Sequence, residues 1–264
     1  MTGSRFRLSL AIVNVVALIL VVVVNVLATT VPLGGMTTGQ LSDLYANLFV
    51  PTGLTFSIWG VIYILLAVYV VYSLAFSLKQ ATPAHTFLEQ SAVLFTISCA
   101  ANAGWIFCWQ YRVLPLSLVC MVVLLASLVA IYVRLNVGRT STTASEKYMV
   151  HLPVSVYLGW ISIATIANVA ALLVYYKWQR FGLSEQFWTI VMVGIGVVLG
   201  IVFLLYRRDI FYALVIDWAV LGILLKRTAT AVPKAEGVII TAIAGICLLS
   251  VGIIAQLIRG RVYK

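Results

Sequence analysis

Residues 47–72, NLFVPTGLTFSIWGVIYILLAVYVVY, decide how the chain is read. Pro51 and Gly53 interrupt the backbone, and from Leu54 onward the run is almost wholly apolar. At about 1.5 Å per residue it is long enough to cross roughly 30 Å of hydrocarbon. Phe56, Trp59 and Tyr63 fall at i, i+3 and i+7, so a helix carries them on one face, with Ser57 and Gly60 beside the stripe. Such a face is equipped for a partner or ligand as well as for lipid.

The rest of the chain has the same character. Of 264 residues, 63% are hydrophobic and only 9% charged, with mean hydropathy +1.12. A soluble domain needs about a quarter of its residues charged, so the composition predicts a polytopic protein of the lipid bilayer. Apolar runs predict eight membrane-spanning helices, at 8–28, 54–77, 90–110, 114–136, 149–176, 187–206, 210–225 and 237–258. The seventh is the weakest, being short and carrying Asp217. The first follows Arg5 and Arg7 and is longer than the apolar core of a signal peptide, which predicts an uncleaved helix.

The formal net charge of +10 sits mainly at the ends of apolar runs, a pattern for lipid headgroups and topology rather than nucleic acid. Under eight spans, the side of the N-terminus receives Arg5, Arg7, Lys79, Arg134, Arg139, Lys147, Arg207, Arg208, Arg259, Arg261 and Lys264. The opposite side receives Arg112, Lys177, Arg180, Lys226, Arg227 and Lys234. The positive-inside rule then puts both termini in the cytoplasm, with the loop at 29–53, which lacks Lys and Arg, outside. A long loop inside a compact domain can fold back over a helical bundle and is often functional.

Two further helices repeat the logic of the opening stretch. In TISCAANAGWIFCWQ, Ser98, Asn102, Trp105 and Trp109 share a face at i, i+4, i+7 and i+11. In HLPVSVYLGWISIATIANVA, Tyr157, Trp160, Ala164 and Asn168 do so at i, i+3, i+7 and i+11, with Pro153 starting or bending the helix. An amide left unpaired in hydrocarbon is costly, so Asn102 and Asn168 are expected to face the bundle interior.

These ordered matches resemble the tryptophan-rich sensory protein and translocator protein family (TspO/MBR, the peripheral benzodiazepine receptor family). Pro51, Phe56, Trp59 and Tyr63 resemble its pattern at the start of the second helix. Asn102 and Trp105 resemble the Asn-x-x-Trp of its third, and Pro153, Tyr157, Trp160 and Asn168 its fifth. The resemblance implies an all-α integral membrane fold, a TspO-like five-helix bundle at 1–180, extended by about three further transmembrane helices at 181–264. It also implies an intramembrane pocket for hydrophobic planar ligands such as porphyrins or sterols, lined by Phe56, Trp59, Tyr63, Asn102, Trp105, Tyr157, Trp160, Ala164 and Asn168. On this reading the protein is a receptor or sensor in the plasma membrane of a prokaryote. No cofactor is required, a porphyrin or haem-like molecule is the ligand, and a homodimer is the family's usual assembly. The chain departs from the family in the loop that lids the pocket, reading Asp-Leu-Tyr at 43–45 with a single Pro51.

Asp217, in ALVIDWAVLG, lies inside an apolar run and admits two readings. It can couple protons or substrate in a transporter or permease subunit, or it can be a structural carboxylate near water. Gly196 and Gly200 form GxxxG, for close packing within the chain or between copies. Leu173, Tyr175 and Lys177 fit a weak sterol-recognition pattern that also fits two other places in the chain. The four cysteines, Cys99, Cys108, Cys120 and Cys247, lack ligand-like spacing and read as small core residues. With only His85 and His151, no acidic cluster and no nucleotide-binding loop, the motifs point to no catalytic or metal site.

Overall fold

The computed structural model describes residues 3–31, 33–79, 87–229 and 235–260. His85, Lys234, Arg261 and Lys264 lie outside the described residues. All the described regular structure is helical. The helices are α1 (Gly3–Thr30), α2 (Thr38–Leu44), α3 (Ile58–Ser77), α4 (Phe87–Gln110), α5 (Leu114–Arg134), α6 (Ala144–Glu146), α7 (Leu152–Tyr175), α8 (Glu185–Val202), α9 (Ile210–Thr228) and α10 (Glu236–Ile258). Gly53–Ser57 forms a 3-10 turn ahead of α3.

Each expected apolar run is a helix, and seven are long and apolar enough to cross a membrane. The eighth, α9, is the expected seventh span, and it falls outside that set. Its 19 residues include Asp217, Lys226 and Arg227, too much charge for an unassisted apolar span. Large apolar side chains such as Leu20, Ile64, Val71, Ile240 and Val251 are exposed along several helices. An exposed surface of this kind suits hydrocarbon rather than water. The chain is a multi-pass integral membrane protein.

Local chemistry accounts for the ends of these helices. Pro115 stands in the first turn of α5, where its missing N–H is no loss. Ser184 caps α8 by accepting the Phe187 N–H, with Glu185 in the first turn. Ahead of Pro153, α6 continues through a π turn at Lys147–His151, so the proline begins α7 instead of bending it.

The chain divides into two compact units. The first comprises Met1–Thr38 and Trp59–Leu158; the second comprises Gly39–Ile58 and Gly159–Lys264. In the first, α4 packs against both α1 and α5. The face of α1 turned to this core carries Ala11, Asn14, Leu18, Val21 and Ala28, all buried. In the second, α8, α9 and α10 pack on one another. The GxxxG pair serves within this unit: a Cβ on Gly196 would meet Ile163 at 2.9 Å, and one on Gly200 would meet Leu249 at 2.7 Å.

The four cysteines are free. Cys99 is buried, Cys108 and Cys120 are half-buried, and Cys247 is exposed on α10, so the expectation of a core position fails for Cys247.

Candidate functional site

In the first unit, five of the expected site residues come together. Trp59 is nearly parallel to Tyr63 on its own helix, with centroids 5.6 Å apart and planes at 20°. On its other side it is nearly parallel to Trp105 of α4, at 6.1 Å and 25°. Trp105 continues the series to Trp109, at 5.9 Å and 24°. The helical spacings at 59–63 and 105–109 set one ring above the next on each helix, and packing joins the two pairs. Tyr157 meets Trp59 edge-on at 6.2 Å.

A chain of hydrogen bonds runs beside the rings. Asn25 Nδ2 donates to Asn102 Oδ1 at 2.9 Å, and Asn102 Nδ2 donates to the Tyr157 hydroxyl at 2.8 Å. Asn102 is fully buried, and the pairing answers the cost of an amide in hydrocarbon. Asn25 also donates to the Val21 carbonyl. Two polar atoms are left over: Trp105 Nε1 is buried with no hydrogen-bond partner, and the Tyr63 hydroxyl sits by the Asn102 amide without closing a bond to it. Buried donors of this kind are rare because each forfeits its hydration.

Phe56, Trp160, Ala164 and Asn168 belong to the second unit. There Phe56 and Trp160 meet edge to face at 6.0 Å. Trp160 and Asn168 are buried, whereas Ala164 is half-buried.

The loop expected over 29–53 is shared between the units. Its first part is tied down in the first unit by the end of α4: Gln110 Oε1 accepts the Gly34 N–H, and Trp109 Nε1 donates to the Thr38 carbonyl. Its second part is held in the second unit. Glu185 Oε1 accepts the Leu48 N–H at 2.8 Å, Thr52 N–H donates to the Gly222 carbonyl at 3.1 Å, and Trp218 Nε1 donates to the Thr55 carbonyl at 3.0 Å. Lys226 pairs with Asp43. Gly222 permits this approach, since a Cβ there would overlap the Thr55 side chain.

Asp217 is half-buried; its Oδ2 accepts from the Ser250 hydroxyl at 3.1 Å, and its Oδ1 has no partner. Among the described residues no three His, Cys, Asp or Glu side chains gather as a metal site.

Sequence reasoning missed Asn25 and Asp209. Asn25 and the buried Asn14 stand at i and i+11 of α1, one helical face, and amides inside an otherwise aliphatic run were the available signal. Asp209 is fully buried and caps α9, accepting from the Phe211 and Tyr212 N–H groups at 3.1 and 3.0 Å. Its signal was an acidic residue directly before an apolar run.

Comparison with known proteins gives one finding. A family model described as TSPO-like protein matches residues 11–255, nearly the whole chain and most of α10. No curated protein and no solved structure gives a match.

Proposed function

Because the chain belongs to the TSPO-like protein family, we propose that it is a membrane binding or sensor protein for a hydrophobic planar ligand of the porphyrin or sterol class. The ligand is held at the aromatic and amide cluster of the first unit. Trp59, Tyr63 and Trp105 supply ring faces, and Asn102 and Tyr157 supply the polar edge. Phe56, Trp160, Ala164 and Asn168 remain candidate ligand-binding residues by family resemblance. The observation that carries the reading is the near-parallel series of rings, in which Trp105 Nε1 is buried and unbonded. A planar ligand entering there gains stacking and can offer an acceptor to that nitrogen. No other cofactor is needed.

The test is a titration of the detergent-solubilised protein with protoporphyrin IX, followed by quenching of tryptophan fluorescence. Saturable quenching is expected in the wild type, with affinity lowered at least about tenfold in Trp105→Phe, which loses the indole N–H and part of the ring surface, and in Asn102→Ala, which loses the amide. Nonsaturable quenching, or equal affinity in wild type and both variants, overturns the porphyrin site. Displacement by cholesterol separates the sterol class from the porphyrin class.

A second reading, transport coupled through Asp217, draws on the partnerless Asp217 Oδ1 within α9. Proton-coupled flux lost in Asp217→Asn with porphyrin binding intact would support it; unchanged flux would remove it. The setting we propose is a prokaryotic plasma membrane, with both termini cytoplasmic and the protein a homodimer. That topology requires α9 to cross as well, and its 19 residues span about 28 Å.

A further inference from the structure

At the corner where α7 ends and α8 begins, the second unit has an open cavity of about 310 Å³. This is the lower end of the range for small-molecule sites. Its wall is apolar, with Ala170, Leu173, Val174 and Met192 on the two helices. Its mouth carries Lys177, Arg180, Trp178 and Trp188. Trp178 lies 5.0 Å from Trp188 and 5.3 Å from Phe181, centroid to centroid, and Trp188 Nε1 donates to the Arg180 carbonyl. Tryptophan with Lys and Arg at the end of apolar helices marks the level of lipid headgroups.

The charge at this mouth is unbalanced. Glu185 is the carboxylate in the lining, and it already accepts the Leu48 N–H, stands 3.8 Å from Arg180 and draws the buried Arg227 electrostatically. The one carboxylate of the lining is thus engaged by Arg180 and Arg227, and Lys177 adds a further cation to the mouth. Lys177 and Arg180 both take left-handed backbone conformations, φ 52° and 56°, which non-glycine residues rarely adopt. A chain held in that way at two cations is the kind of irregularity that accompanies binding sites.

We infer that this corner binds an anionic phospholipid of the surrounding leaflet, its phosphate at Lys177 and Arg180 and the start of an acyl chain against Leu173, Val174 and Met192. Both recognition elements are needed. The cations select charge over a zwitterionic headgroup, and the apolar wall selects a lipid over a free anion.

The test is native mass spectrometry of the full-length protein in mild detergent, titrated with phosphatidylglycerol and, separately, phosphatidylcholine. The wild type is expected to hold phosphatidylglycerol about 25-fold more tightly, the size of two headgroup-level cations. Lys177→Gln should lose about fivefold of that affinity and Lys177→Gln/Arg180→Gln the whole preference, while Lys79→Gln, in the other unit, changes nothing. Lys177 and Arg180 are exposed, so the variants are expected to fold; retention of the wild-type melting temperature checks this. Equal affinity for both lipids in the wild type overturns the inference, as does a preference that survives in the double variant. So does displacement of the lipid by millimolar inorganic phosphate, which would make the corner a free-anion site, or by cholesterol, which would make it a sterol groove.

Discussion

In the first unit two mid-helix clusters are built of neutral amides and hydroxyls that pair with one another: Asn25, Asn102 and Tyr157 in one chain, Thr96 and Asn14 in another. In the second unit carboxylates hold backbone, Asp209 fully buried and Glu185 partly exposed. Asp209 caps α9, and Glu185, near Arg227, fastens the Leu48 amide of the loop. Neutral amides can be buried cheaply and can exchange partners, which suits a place where a ligand must enter. Charges in a low dielectric tolerate few alternatives, which suits a fixed support. Within the second unit α8 and α9 therefore have a structural role: they anchor residues 39–58.

The sharpest way to break this contrast is at the anchor. Gly222→Val should be the most disruptive single change, because its side chain would occupy the space of Thr55 and push the loop off α9. The expected loss is about 3 kcal/mol, the upper end for overpacking, together with the Thr52 to Gly222 hydrogen bond. Thermal unfolding in detergent reads it. Gly222→Ala combined with Thr55→Gly should recover most of the loss; equal melting of the double and single alanine variants would show that the two residues do not oppose each other.

Asn102→Leu tests the neutral network. It removes the acceptor of Asn25 and the donor to Tyr157 at once, for about 2 kcal/mol. Tyr157→Phe should lose about half of that, since only one bond goes. If Asn102→Leu melts with the wild type, the amides are ligand groups without structural value.

Asp209→Ala should cost about 1 kcal/mol, the usual worth of an N-cap, whereas Asp209→Asn keeps an accepting oxygen and should lose only a few tenths. The same thermal melts distinguish the two. A loss as large in Asn as in Ala would mean that the charge, rather than the cap, is what the second unit needs there.

Much of this was legible beforehand. The ring series follows from spacing alone, because Trp59 with Tyr63, and Trp105 with Trp109, are one turn apart, and helix geometry fixes the rest. Asn102 was readable because an amide in an apolar run needs a partner, but the identity of that partner, Asn25 on α1, depends on packing between helices that periodicity does not encode. The division of the loop between Gln110 and Glu185 was illegible for the same reason: both bonds are to backbone N–H groups, which leave no residue-type signature. The expected seventh span is also a helix, α9, set apart by its three charges and largely buried by its neighbours.

The smallest expected effect comes from the ion pair beside the anchor. Lys226 and Arg227 are adjacent on α9 and differ in setting: Lys226 reaches Asp43, whose side chain is 62% exposed, while Arg227 is only 5% exposed. Exposed pairs are screened by water and pay side-chain entropy, so Asp43→Asn should shift stability by less than about 0.5 kcal/mol. Glu185→Leu, by contrast, strands the Leu48 N–H, for a loss of about 1 kcal/mol that lies mainly in the hydrogen bond because the partly exposed carboxylate is screened by water. Measured as melting temperatures at low and high salt, the Asp43→Asn shift should vanish with salt and the Glu185→Leu shift should persist. Equal losses would mean that the loop is fastened by its exposed charges, and the contrast between a supporting and a receptive unit would have to be drawn elsewhere.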